Sequence, residues 1–206
     1  MGRKMDSRLS RDKFYIITNG KETECNYFTL LKAKKSIYDV KVEFQNADPL
    51  GLVEYAKRYI GEANQIWVVF DIDYTYEDKK LIPSIQLADK IGIKYAFSNL
   101  AFEVWLISHF QKCDKQMDIK QHEKELTAYL DSKKAGLTYD KTSEEQLKKY
   151  FIPYYETAVE NAKIVYQTRM SEHRKKYGDK SKPEIWKWNS STNVYKLIEA
   201  LKLTVK

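Results

Sequence analysis

The sequence predicts an α/β protein in which helices flank a parallel sheet and a mainly helical C-terminal region follows. Segments typical of strands and helices alternate four times within residues 14–110, which favours parallel pairing with right-handed crossovers. Beyond residue 110, apolar residues recur almost only at helical spacing. We therefore divide the chain into a basic N-terminal tail (1–13), an α/β core (14–110) and a helical, basic C-terminal region (111–206) packed on the core.

Local signals set the expected elements. Strands are expected at 14–18, 38–44, 66–70 and 93–97, and core helices at 24–35, 49–60, 81–91 and 101–110. Asp48-Pro49 is a typical helix start, and Gly61 and Gly92 are typical stops. Ser98 or Asn99 is expected to cap the fourth helix. In the C-terminal region we expect a long helix opened or kinked by Pro153, a loop over 179–183 and a last helix over 194–203 capped by Thr192 or Asn193.

The most informative segment is the third predicted strand. Five consecutive apolar residues, 66–70, indicate a strand buried on both faces, and Asp71 and Asp73 follow it directly. If the extended backbone continues, both carboxylates point to the same side, because strand side chains alternate with a period of two. Paired carboxylates are suited to Mg²⁺ or Mn²⁺, so the sequence predicts a metal site here.

Two further polar clusters follow predicted strands. Residues 19–24 come after the first strand, and Ser98-Asn99 leads to Glu103 after the fourth. Ligand sites in parallel sheets form beyond the carboxyl ends of the strands, so the three clusters are expected to converge. Glu103 lies in an almost entirely apolar helix, where a carboxylate must be paired, protonated or directed into a polar site.

The formal charge of +7 is concentrated near the C-terminus. Residues 161–188 contain eight basic and three acidic residues, interleaved with Tyr and Trp. Cations for phosphates and rings for stacking are typical of nucleic-acid binding, although a solvated helix face would show the same charges. The residues expected to contact nucleic acid are Lys163, Arg169, Arg174, Lys175, Lys176, Lys182, Trp186 and Lys187.

Several classes of protein are disfavoured. Apolar stretches are too short to span a bilayer, and the first 13 residues lack the apolar core of a signal peptide. Two cysteines without CxxC spacing favour a reducing cytoplasm. A phosphate-binding Gly-rich loop followed by Lys-Ser or Lys-Thr is missing, as is GxGxxG after the first strand, which argues against an ATPase and a dinucleotide oxidoreductase.

Four segments together resemble the motif series of the RloB family. They are residues 15–24 (YIITNGKETE), 68–73 (VVFDID), 98–110 (SNLAFEVWLISHF) and 189–194 (NSSTNV). Members of that family are prokaryotic proteins, often encoded beside an AAA- or ABC-type ATPase in abortive-infection and phage-defence loci. The resemblance implies a Toprim-like core and Mg²⁺-dependent phosphodiester cleavage.

The resemblance also implies roles for individual residues. Asp71 and Asp73 match the Toprim DxD metal ligands, Glu24 matches the acid of a Thr-Glu pair, and Glu103 matches the acid of an Asn-x-x-Phe-Glu-x-Trp motif. Asn19 stands where the Toprim pattern has Glu. An amide can ligate a metal but is a poor general base, so Glu22, Glu24 or Glu103 would have to replace that acid, or catalysis is altered or lost.

Our leading hypothesis is a nuclease acting in anti-phage defence with a partner ATPase. Glu24, Asp71, Asp73 and Glu103 would hold one or two Mg²⁺ or Mn²⁺ ions. Lys21 would contact the phosphate, and Asn19, Glu22 and Asn99 are further site candidates. One alternative is a non-catalytic module that binds nucleic acid or an ATPase and retains a vestigial acidic site. Another is a different phosphoryl transfer. DNA, RNA and tRNA stay open as substrates, as does self-association.

Overall fold

The structure is a computed structural model that describes residues 12–34, 36–72 and 79–203. Its centre is a five-stranded sheet in the order β2-β1-β3-β4-β5. The strands are β1 (Lys13–Thr18), β2 (Asp39–Phe44), β3 (Gln65–Asp71), β4 (Lys94–Asn99) and β5 (Ser191–Thr192). The first four are parallel, and β5 pairs antiparallel with β4. The predicted α/β class is therefore confirmed.

Helices flank this sheet and form most of the described C-terminal region. They are α1 (Thr23–Leu31), α2 (Pro49–Ala56), α3 (Leu81–Ile91), α4 (Glu103–Ile107), α5 (Ile119–Lys133), α6 (Glu144–Gln146), α7 (Tyr155–Tyr177) and α8 (Val194–Ala200). A π turn and a 3-10 turn that begins at Ile152 connect α6 to α7, and Pro153 lies in the second of these turns. Within the described residues, none of the helices is both long and apolar enough to cross a membrane.

Local capping signals were accurate for α2 and α3. The Asp48 carboxylate accepts a hydrogen bond from the Gly51 amide at 2.9 Å, with Pro49 in the first turn. Gly92 ends α3 with φ of 75°, a left-handed conformation that favours glycine. Helix α2 is nevertheless shorter than predicted, because a 3-10 turn replaces its last turn before Ile60.

The prediction that Ser98 or Asn99 caps the fourth helix was wrong. Both residues lie in β4, and α4 begins only at Glu103. Tertiary bonds occupy both side chains: the Ser98 hydroxyl bonds that of Thr192, and the Asn99 amide donates to the carbonyls of Ile185 and Trp186. Asn193 precedes α8 as predicted, but its side chain bonds β4 instead of capping the helix.

The core lies on both faces of the sheet. All five residues 66–70 are buried, as the apolar run predicts, and so is every residue of α4. His109 is buried beside α4, where its Nε2 lies 3.0 Å from the Tyr27 hydroxyl and its Nδ1 lies 3.0 Å from the Trp105 carbonyl oxygen. Burial lowers the pKa of His109 to about 4. The ring is therefore neutral, with Nδ1–H donating to Trp105 and Nε2 accepting from Tyr27.

Tyr27→Phe is expected to destabilise the fold by about 1–3 kcal/mol, because it leaves the buried Nε2 of His109 without a donor. Urea unfolding at pH 7 measures the change. Tyr154→Phe, at an exposed phenol, serves as the control and should leave the unfolding midpoint in place. Equal midpoints for the wild type and Tyr27→Phe would contradict this account.

Strand order defines where a ligand can bind. Strand β1 lies between β2 and β3. The chain therefore leaves β1 toward one side, to β2, and then passes β1 to reach β3 on its other side. In open parallel sheets this reversal creates a crevice beyond the carboxyl ends of the two neighbouring strands. This rule predicts a crevice beyond the ends of β1 and β3, where the sequence places Asn19-Gly20 and Asp71, and we call this place the crevice.

Candidate active site

Three polar strand ends lie level at this edge of the sheet. Thr18 pairs with Val69, and the Asn19 amide donates to the Val69 carbonyl at 3.3 Å. One strand further, Asp71 pairs with Ser98, and the Ile72 amide donates to the Ser98 carbonyl at 2.9 Å. The carboxyl ends of β1, β3 and β4, at which the polar clusters were predicted, are therefore level in the sheet.

Gly20 provides space for the carboxylate of Glu24. A Cβ built on Gly20 would lie 1.8 Å from Glu24 Oε2, a distance that no side chain tolerates. The turn is held by the Thr18 hydroxyl, which donates to the Gly20 carbonyl at 2.9 Å. Glu24 lies in the first turn of α1, and its carboxylate folds back over the end of β1.

Strand register indicates the face of the sheet from which Asp71 projects. Side chains alternate along β3, so Asp71 projects from the face opposite to Phe70. Thr18 pairs with Val69, two residues before Asp71, so Thr18, Val69 and Asp71 project from the same face of the sheet. Asp71, which is half-buried, is therefore directed to the face of Thr18, whose hydroxyl holds the Gly20 turn beside the Glu24 carboxylate.

Glu24 and Glu103 are two buried carboxylates whose charges act on each other. Glu24 is 7% exposed and Glu103 is 4% exposed. Burial, together with the negative charge of Glu103, raises the pKa of Glu24 to about 7, while a backbone hydrogen bond and the charge of Lys141 oppose the shift. The structure thus brings together two of the acids that the sequence singled out.

Glu103 has partners that were not predicted. The Tyr139 hydroxyl donates to Glu103 Oε1 at 3.2 Å, and Lys141 Nζ lies 3.1 Å from the same oxygen. Lys141 also reaches Glu123 at 3.3 Å, so one ammonium group bridges two acids. The Lys141 carbonyl accepts a hydrogen bond from the Thr23 hydroxyl at 3.0 Å. This bond fixes the connector between α5 and α6, which contains Lys141, against the start of α1.

The remaining candidates near the crevice differ in their surroundings. Lys21 and Glu22 are exposed, and Glu22 precedes α1 without capping it. The buried Oδ1 atoms of Asn19 and Asn99 accept no hydrogen bond from any described residue. Because Asn99 donates through its amide nitrogen to Ile185 and Trp186, it fixes the segment before β5 at the end of β4.

The predicted four-acid metal site is only partly described. Asp73 lies outside the described residues. Among those that are described, no group of three or more His, Cys, Asp or Glu residues is arranged to hold a metal ion. The described part of the site therefore consists of the two buried carboxylates of Glu24 and Glu103, with Asp71 at the end of the neighbouring strand β3.

The basic segment lies around the C-terminal half of α7, and several of its charges are paired. Lys163 bonds Glu199 at 2.8 Å, Lys187 bonds Glu184 at 2.8 Å, and Arg169 donates to the Asp114 carbonyl at 2.8 Å. Lys175, Lys176 and Lys182 are exposed, and Lys176 lies 5.0 Å from the centre of the Tyr177 ring. Trp186 lines a cavity of about 360 Å³ with Lys182.

Comparison with known proteins gives one match. The family model described as RloB-like protein matches residues 14–201, which cover both the α/β core and the helical region. No curated protein and no solved structure matches this chain. The chain belongs to the RloB-like family.

Proposed function

We propose that this protein is a divalent-metal-dependent nuclease, with its active centre at the carboxyl ends of β1 and β3. The observation that carries the proposal is the buried Glu24 carboxylate over Gly20, at the point where the strand order reverses, with a pKa that the nearby charge of Glu103 helps to raise. The resemblance to the family extends the proposal. It suggests that the protein acts in anti-phage defence together with an ATPase, and that its substrate is DNA or RNA.

The residues at this edge fit a hard divalent cation. Two desolvated carboxylates repel each other, and a bound Mg²⁺ would relieve that repulsion. The buried Oδ1 of Asn19, which no described donor reaches, adds an oxygen of the type that Mg²⁺ and Mn²⁺ accept. We propose that Glu24 and Glu103 would hold the ion together with Asp73, and that Asp71, which forms no metal-binding group with these two glutamates in this structure, would join them when the ion binds.

Glu24 is also the best candidate to replace the glutamate that the Toprim pattern has at the position of Asn19. Of the three candidates, Glu22 is exposed and Glu103 already binds Lys141 and Tyr139. Glu24 is buried directly over the β1 turn that follows Thr18, which makes it the carboxylate best placed to replace that acid.

The metal, when bound, would polarise the scissile phosphate and lower the pKa of an attacking water. The protein positions these groups through its own contacts. Lys141 and Tyr139 fix Glu103, the Gly20 turn leaves space for Glu24, and the Thr23 hydroxyl holds the connector that carries Lys141. The exposed Lys21 lies next to this turn and would contact the substrate phosphate.

The test measures metal binding and cleavage separately. Titration calorimetry with Mn²⁺ at pH 8 should show at least about tenfold weaker binding to Asp71→Asn, because a ligand charge is lost. Cleavage of DNA and of tRNA should fall with it. Asp89→Asn removes an exposed carboxylate from α3 and is the matched control, since it should keep both properties. Unchanged Mn²⁺ binding and cleavage in Asp71→Asn would refute the assignment.

A non-catalytic binding module is the second candidate. The bridge from Lys141 to Glu103 and Glu123 favours it, because an internal cation already neutralises part of the acidic cluster. In this case the wild type should bind neither Mg²⁺ nor Mn²⁺ in the calorimeter, and substitution of Glu24 or Asp71 should leave phage resistance unchanged. Calorimetry of the wild type and phage-resistance assays of the variants therefore decide between the candidates.

A further inference from the structure

An open cleft of about 700 Å³ lies between the C-terminal half of α7 and the start of α8. Its lining contains three cations, Arg174, Lys175 and Lys196, against one acid, Asp179. Hydroxyl and ring groups come from Ser171, Tyr166 and Tyr195. The cleft is therefore positively charged and rich in hydrogen-bond donors.

Lys196 is the residue that requires an explanation. It is half-buried in the first turn of α8, where the helix dipole disfavours a cation. Its Nζ lies 3.3 Å from the Tyr166 hydroxyl and 4.4 Å from the centre of that ring. Within the described residues, no carboxylate lies within ion-pair distance of Lys196, and the nearby Glu199 is already bonded to Lys163 at 2.8 Å. Burial lowers the pKa of Lys196, and the charge of Glu199 opposes this shift.

Arg174 and Lys175 have an ordinary structural reason to be present. Cations in the last turn of a helix are favoured by its dipole, and both residues lie there in α7. The contact of Arg174 with Asp179 does not occupy its guanidinium, since the atoms are 4.0 Å apart and both side chains are exposed. Arg174 can therefore turn to a ligand that Lys196 binds at the base of the cleft.

We infer that this cleft is a phosphate-binding site, with Lys196 at its base and Arg174 and Lys175 at its mouth. An anion would compensate the half-buried ammonium, and a guanidinium binds phosphate through two parallel hydrogen bonds. The phosphate could belong to a nucleic-acid backbone or to a free nucleotide. None of these residues belongs to the acidic crevice, so the inference is independent of the proposed nuclease chemistry.

Titration calorimetry of the full chain tests the site with three probes: inorganic phosphate, 5′-AMP and a short single-stranded oligonucleotide. Lys196→Met should weaken binding at least about tenfold, since a desolvated charge pair is lost. Arg174→Gln should weaken it less, and Lys196→Arg should retain it. Lys90→Met removes an exposed cation at the end of α3 and is the control for net charge.

The outcomes separate the two sources of phosphate. A loss confined to the oligonucleotide assigns the site to a nucleic-acid backbone, whereas a loss with 5′-AMP or phosphate alone assigns it to a free nucleotide or anion. Equal binding by wild type, Lys196→Met and Arg174→Gln overturns the inference, and so does an equal loss in Lys90→Met. Thermal unfolding of each variant shows whether the fold is retained, and Arg174→Gln supplies the test if Lys196→Met does not fold. Mn²⁺ binding should be the same in all variants.

Discussion

Gly20→Ala is expected to reduce cleavage about hundredfold while changing stability little, because a misplacement of about 1 Å in a catalytic group has an effect of that size. The new methyl carbon would lie 1.8 Å from Glu24 Oε2, so the carboxylate must leave its position over the β1 turn. The displaced atoms form the end of a flexible side chain, and Glu24 can rotate outward without disturbing the backbone. The substitution therefore tests the position of the carboxylate while keeping its charge.

Gly51→Ala is the matched control for this variant. Gly51 lies within α2, where an added Cβ meets Ala47 Cβ at 3.0 Å and a small shift relieves the contact. Steady-state cleavage with Mg²⁺, Mn²⁺ calorimetry and thermal unfolding should be measured on both variants. Normal cleavage by a folded Gly20→Ala protein would show that the observed position of Glu24 is irrelevant to the chemistry.

Sequence reasoning predicted those parts of the fold that local chemistry determines. Asp48 and Pro49 start α2 because their side chains satisfy and pre-organise a helix terminus, whatever the rest of the chain does. Gly92 ends α3 because its backbone adopts positive φ. The apolar run 66–70 could be assigned to a buried strand since both faces of β3 are covered by other elements.

The parts of the site that were not predicted from the sequence depend on contacts between residues that are far apart in the chain. Tyr139 and Lys141 reach Glu103 from a connector more than thirty residues later, and neither carries a periodic or capping signal. Asn99 was misassigned as a cap because a capping residue and a strand residue with tertiary bonds have the same local sequence. The need of Glu103 for a partner was predictable from its apolar helix, but the identity of that partner was not.

Glu24→Gln is expected to stabilise the metal-free protein at pH 8 by about 3 kcal/mol relative to the wild type, the free energy that corresponds to a pKa raised from 4.5 to about 7. Below pH 4.5, Glu24 is protonated in both the folded and the unfolded chain, so it does not oppose folding. Between pH 4.5 and 7, the unfolded chain releases the proton while the folded protein retains it. Stability is therefore lost as the pH rises through this window and stays low above it.

Glutamine is the neutral isostere of the protonated acid, so Glu24→Gln should remove this loss. The quantity to measure is the difference in unfolding free energy between the two proteins, from urea titrations at pH 4, 6 and 8 with EDTA present. The difference should grow from pH 4 to pH 8, and Glu22→Gln, at an exposed acid two residues earlier, should follow the wild type. Under the proposed function, Mg²⁺ should restore the stability of the wild type at pH 8, because the cation binds the ionised Glu24 carboxylate of the folded protein. It should not raise the stability of Glu24→Gln, which has no charge at this position. Parallel pH profiles for wild type and Glu24→Gln would show that Glu24 ionises as freely in the folded protein as in the unfolded chain.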